Sequence, residues 1–248
     1  DRKVEPLAAG QIVRALPLVL VVAILLSLVK LPAWTSPPAP PQFNGLQISG
    51  PLNPPAGFHV ADTEIYPWVQ RLYGRISYLT RQQMVADAGN PEWDKDAKPR
   101  TVMVDNVITD RPFSFNVYPP TKVLYDATAT RLSTPRRIDL GYGVTGGEMV
   151  SVVDDHLMVT WNMLQWMWRN SDRAQRIVLI TVDNHEDSAP FPEPNGALLP
   201  TLSTLLTVLF RGNSAVNDDN PTFKDVDLLT TFGRGMVAAQ LQPLGRLQ

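Results

Sequence analysis

Two polar clusters carry the residue types that bind divalent metals: Asp154, Asp155 and His156, then Asp183, Asn184, His185, Glu186 and Asp187. Each follows directly on an apolar run, EMVSVV and RIVLITV. If the segment between the runs is a helix and the runs are parallel neighbours in a right-handed crossover, both clusters fall at adjacent carboxyl ends of one sheet. α/β proteins place their ligands there. Asp154, His156, Asp183, His185 and Asp187 would then supply carboxylates and imidazoles to a divalent metal, the ligand chemistry of a metal-dependent hydrolase. The reading that needs no cofactor is simpler, and it is the one we carry forward. In it, Asp154 or Asp155 caps the next helix, and DNHEDSAPFPEP is an acidic surface loop stiffened by proline.

Other chemistries are excluded by residue type. The sequence has no cysteine, which removes disulfides, thiolate nucleophiles and cysteine-ligated metal centres together. GYGVTGG, from Gly141 to Gly147, precedes a strand pattern and not a helix, so it reads as a hairpin turn and not a phosphate loop. No Walker motif and no nucleophile elbow occurs.

HLMVTWNMLQWMWRN reads as a helix from about His156 to Arg169. Leu157, Trp161, Leu164 and Trp168 make one stripe, and Met158, Met163, Trp166 and Met167 cover much of the rest. A helix apolar nearly all round is buried on more than one side. Core burial accounts for part of this. Tryptophan and methionine are also enriched at interface centres, so Trp161, Trp166, Trp168, Met163 and Met167 are the candidate docking residues.

These residues need a frame. From Thr101 the runs TVMVDNVI, FSFNVY, KVLYDATAT, RIDLGYG and EMVSVV read as strands separated by turns. RIVLITVD is apolar without alternation, as suits a strand buried on both faces. Pro67 starts a predicted helix with Val69, Leu72, Ile76 and Leu79 on one side and Arg71, Arg75 and Arg81 off it. Two further helices are expected, a leucine-rich one at Ala197 to Phe210 and a last one at about Pro221 to Leu241. The fold class is mixed α/β with a mixed sheet.

Residues 12–31, IVRALPLVLVVAILLSLVKL, are twenty residues charged only near the ends, at Arg14 and Lys30. At about 1.5 Å per residue this length matches the hydrocarbon core of a bilayer. Trp34 suits the interfacial belt, and Arg2, Lys3 and Arg14 outweigh Lys30, which places the N-terminus in the cytoplasm. The prolines and Trp34 that follow do not make a cleavage site, so the span reads as a retained anchor. The expected organisation is a cytoplasmic tail at 1–11, the transmembrane helix at 12–31, a Pro-rich arm at 32–60 and an extracytoplasmic domain at 61–248.

Outside the tail and span, acidic residues outnumber basic ones, which argues against nucleic acid as a partner. The functional expectation is a single-pass inner-membrane (plasma-membrane) subunit of a cell-envelope complex, with its main domain periplasmic. It would act through protein-protein contacts, without cofactor and without catalysis. The alternatives are a membrane-anchored metal-dependent hydrolase and an accessory structural subunit of an energy-converting membrane complex.

Overall fold

A computed structural model describes residues 17, 20, 21, 39–125, 131–154, 159–183, 190–194 and 223–244. The chain divides into two units, 1–38 and 39–248. In the first, residues 17, 20 and 21 are helical, and the rest of the predicted span at 12–31 lies outside the described residues. Among the described residues, no helix is long and apolar enough to cross a membrane.

The second unit is α/β, built on one eight-stranded sheet. In chain order the strands are β1 (Phe58–Tyr66), β2 (Tyr78–Ala86), β3 (Thr101–Thr109), β4 (Arg131–Leu132), β5 (Arg136–Ile138), β6 (Gly147–Asp154), β7 (Val159–Arg169) and β8 (Ala174–Val182). Their order across the sheet is β1-β2-β3-β8-β7-β6-β4, with β5 also pairing β6. All these pairings are antiparallel, so the expected mixed sheet with a parallel crossover is not what forms.

The largest correction concerns residues 159–169, a strand and not the helix that the stripe suggested. Apolar residues fill both faces here, so a helical stripe can be traced through a segment whose actual period is two. Val159, Thr160 and three tryptophans favour a strand, and β6 and β8 pair along both edges. Trp161, Met163 and Met167 consequently share one face of the sheet, and Leu164, Trp166 and Trp168 share the other.

The predicted helix from Pro67 is also cut short. After Pro67–Val69 and α1 (Gln70–Tyr73), Gly74 adopts φ 114°, and Leu79 and Arg81 belong to β2. FSFNVY and the start of KVLYDATAT form short helices, α2 (Ser114–Val117) and α3 (Pro120–Val123), in a proline-punctuated connection. TVMVDNVI, EMVSVV and RIVLITV are strands as expected, and every residue of β8 is buried. The leucine-rich segment 197–210 lies outside the described residues.

One face of the sheet is covered by α4 (Val226–Leu241), through Leu228, Leu229, Phe232, Met236, Val237 and Leu241. Two glycines inside α4 mark close approaches. A Cβ on Gly233 would stand 3.1 Å from Leu140 and Leu164, and one on Gly235 would stand 2.8 Å from Pro55. The arm shares this face, burying Phe43, Leu46, Ile48 and Leu52. Sheet amides hold its backbone: Asn106 Nδ2 donates to the Ser49 and Gly50 carbonyls at 3.2 and 2.7 Å, and Gln82 brackets Leu52 at 2.7 and 3.1 Å. The other face packs under α1, α2, α3 and Tyr125.

Candidate functional site

Strands β6 and β8 both run antiparallel to β7, so Asp154 and Asp183 do lie at the same end of the sheet. They are not neighbours. With β7 between them, their backbones are about 9.5 Å apart at ordinary strand spacing. Alternation sends Asp154 to the face of Val150 and Val152, whereas Asp183 turns toward Lys224, which leads into α4. Asp183 Oδ1 accepts the Thr160 backbone N–H at 3.0 Å and Oδ2 accepts Lys224 Nζ at 2.9 Å. This is the bonding of a loop tie. His156, His185 and Asp187 lie outside the described residues, as do Asp155, Asn184 and Glu186. Among the described residues no three His, Cys, Asp or Glu side chains gather as a metal site.

The five candidate docking residues hold the chain's own layers together. Trp161, Met163, Trp166 and Trp168 are buried, and Met167 is half-buried. Trp168 packs edge-on against Phe43 of the arm and against Trp166, while Trp161 meets Tyr125 on the opposite face. Trp168 Nε1 donates to Gln175 Oε1 at 2.6 Å, and Gln175 Nε2 donates to Asn106 Oδ1 at 2.8 Å. Since Asn106 also holds the arm, a neutral relay crosses β7, β8 and β3 to reach it.

Sequence reading missed a charged cluster on the face under the short helices. Arg81 grips Asp105 through Nε at 2.8 Å and Nη2 at 2.9 Å, and both side chains are buried. Tyr125 donates to Asp105 Oδ2 at 2.6 Å, and Arg81 reaches the Pro192 carbonyl at 2.8 Å and Glu193 at 3.2 Å. Burial alone would depress the Arg81 pKa, but the Asp105 carboxylate outweighs it and holds the guanidinium above its usual range. Burial, then the Asp105 charge, push the Tyr125 hydroxyl well up. Tyr66, bonded to Glu64, is raised by burial and by its acidic neighbours. These charges compensate one another and fasten segment 190–194 and Tyr125 to the sheet. The available signal was Arg81 and Asp105 at interior strand positions, but a helix assignment for residues 67–81 hid the first.

A second guanidinium, Arg176, is buried with carbonyl acceptors and no carboxylate in ion-pair reach among the described residues. Nη1 donates to the Tyr118 carbonyl at 2.9 Å, Nη2 donates to the Phe115 carbonyl, and the group sits 4.5 Å over the Phe115 ring. Burial lowers its pKa from the ordinary arginine value. Its contacts fix the loop carrying α2.

The exposed feature is the edge of the sheet. Among the described residues β1 pairs only with β2, and Ala61 to Ile65 are exposed. A bulge lies between Val60 and Asp62, beyond which Asp62 to Tyr66 run in regular register. Comparison with protein-family models, curated proteins and solved structures returns no match.

Proposed function

We propose that this chain is a single-pass subunit of a multiprotein envelope assembly, anchored in the plasma membrane by residues 12–31 with its N-terminus cytoplasmic. The sheet domain works outside the cytoplasm by protein-protein contact, and the free edge of β1 receives a strand from another subunit. The observation that carries this reading is the edge itself: among the described residues the regular run Asp62 to Tyr66 has no strand beside it other than β2, with the Thr63 N–H held by Asp62 Oδ1 at 2.8 Å, and such an outer edge is the template for strand addition. Asp62 and Glu64 stand on the face of Gln83 and Arg81, and Thr63 and Ile65 stand on the other. The fitting partner strand carries basic residues on the first side and an apolar residue beside Ile65, which is 61 % exposed. Its backbone would give affinity and its alternating side chains specificity.

The test uses the full chain in its native membrane with a photo-crosslinking residue at Thr63. A discrete adduct of constant mass is expected, lost in the double variant Asp62→Lys/Glu64→Lys while thermal unfolding of the domain is unchanged. If Thr63 gives no adduct and the double variant still recovers its complex in mild detergent, β1 is not the docking edge.

A further inference from the structure

We propose that the end of the sheet at which the arm enters is a platform that rests on the surface of an anionic phospholipid bilayer. The proposal builds on the reading of residues 12–31 as a membrane span.

The register defines this end. Tyr66 pairs Leu79, Tyr78 pairs Ile108, and Thr109 and Arg169 both pair Ala174, so the 67–77, 110–118 and 170–173 connections project together. Among the described residues of the second unit, the exposed large apolar side chains are Ile65, Ile76, Phe113, Val117 and Tyr142, and all five lie here. Phe113 is 71 % exposed. The opposite end is finished with ion pairs instead, Arg100 with Asp225 and Lys224 with Asp183. Apolar exposure that, among the described residues of this unit, gathers at one end marks an interaction surface, which scattered single residues would not.

The platform is held firmly from below. Thr109 Oγ1 donates to the Tyr73 carbonyl at 2.6 Å, the Tyr73 and Phe115 rings meet at 5.5 Å, and Arg176 clamps the Phe115 and Tyr118 carbonyls. Phe115 points inward in α2 while Phe113 and Val117 are left outside, so contact requires little further ordering of the chain. The surrounding charge suits phosphate headgroups. The three connections carry exposed Arg71, Arg75, Arg111 and Arg173 against Asp110 and Asp172, although the chain as a whole is slightly acidic.

Connectivity selects a lipid surface as the occupant. Phe43 N donates to the Arg169 carbonyl at 2.8 Å and Arg169 N donates to the Pro41 carbonyl at 3.0 Å, which fixes the start of the arm at this same end. Only residues 32–38 separate Ala39 from the predicted span, a reach of about 25 Å when fully extended. Such a tether favours presenting this end to the bilayer, with Phe113 and Val117 as apolar insertions and the arginines at headgroup level.

The absence of cysteine gives a clean background for the test. The full chain is placed in nanodiscs of phosphatidylcholine with or without phosphatidylglycerol, carrying one nitroxide at Ile76→Cys, Phe113→Cys or Val117→Cys, or at the exposed α4 control Asp227→Cys. With phosphatidylglycerol, the three platform labels are expected to shift from water-soluble chelate toward oxygen accessibility while the control stays water-like. The triple variant Arg71→Glu/Arg75→Glu/Arg111→Glu should return them to water. Labels that stay water-accessible in a chain co-eluting with the discs overturn the platform and leave the span standing. A chain that does not co-elute removes both. Labels protected only after another subunit is added make this end a protein contact and likewise overturn the lipid reading.

Discussion

The face of the sheet under α4 holds the arm through neutral amides and keeps a buried ion pair, Arg100 with Asp225, at the start of α4, whereas the face under the short helices holds its loops through buried guanidinium and carboxylate. The difference follows from what each face must hold. Past its short bridge to Arg169 of β7, the arm crosses the α4 face from Asn44 to Leu52 outside any strand. Asn106, Gln82 and Asn170 supply the missing partners one by one. The other face fastens separate short pieces, residues 115–125 and 190–194, and one guanidinium there satisfies several acceptors from a single position. Neutral ties are cheap to bury and individually replaceable, whereas a charged tie is stable only while its partners are complete.

The largest effect should therefore come from breaking the charged face. Asp105→Ala leaves the Arg81 guanidinium buried beside a lost partner, and a destabilisation of about 3–5 kcal/mol is expected in denaturant unfolding. The double variant Arg81→Met/Asp105→Leu should recover most of that loss, because two apolar side chains of similar volume need no counter-charge. A double variant as unstable as the single one would show that the pair matters for its contacts to Pro192 and Glu193 and not for its charge.

The α4 face should respond more mildly. Asn106→Leu removes the two bonds that its amide donates to the arm and the acceptor for Gln175, for an expected loss of about 1–3 kcal/mol. The loss should be local. Proteolysis between Asn44 and Leu52 is expected to accelerate while the fluorescence of Trp161, packed on the other face against Tyr125, stays unchanged. A global loss equal to that of Asp105→Ala would erase the distinction between the faces.

How far the sequence revealed this fold depended on whether its period was unambiguous. β8 was legible because nine buried residues without alternation admit only an element covered on both sides, and α4 because Leu228, Phe232 and Met236 repeat at helical spacing. β7 was not, since residues apolar on both faces fit either period, and the partners that decide it, β6 and β8, are contributed by tertiary pairing. β1 was hidden by its exposure. FHVADTEIY has no apolar face because, as an edge strand, it scarcely contributes to the core. The site followed the same logic. Aspartates at strand ends were easy to notice and stand at one end of the sheet with β7 between them, on opposite faces, whereas Arg81 and Asp105 drew no attention because their neighbours looked like ordinary core.

Tyr73 offers the finest test of the charged face, because its ionisation contributes nothing at neutral pH. Its hydroxyl donates to the Tyr118 carbonyl at 3.0 Å, and it packs against Phe115 and Tyr118. Burial pushes its pKa up from 10.0 to about 12, although the nearby Arg176 guanidinium pulls the other way. A folded-state pKa above the unfolded one contributes stability that is fully present below about pH 10 and is lost as pH rises toward about 12, where the unfolded chain has already released the proton. The slope is negative because, in that window, the unfolded state binds fewer protons than the folded one. The full span of the shift corresponds to about 3 kcal/mol. Unfolding midpoints measured from pH 9 to 12 should fall more steeply in the parent chain than in Tyr73→Phe, which lacks the titrating group but keeps the ring against Phe115. Parallel curves would mean that Tyr73 ionises within the folded domain as readily as in water, and that this corner, which supports α2 and the Arg176 clamp, is open to solvent.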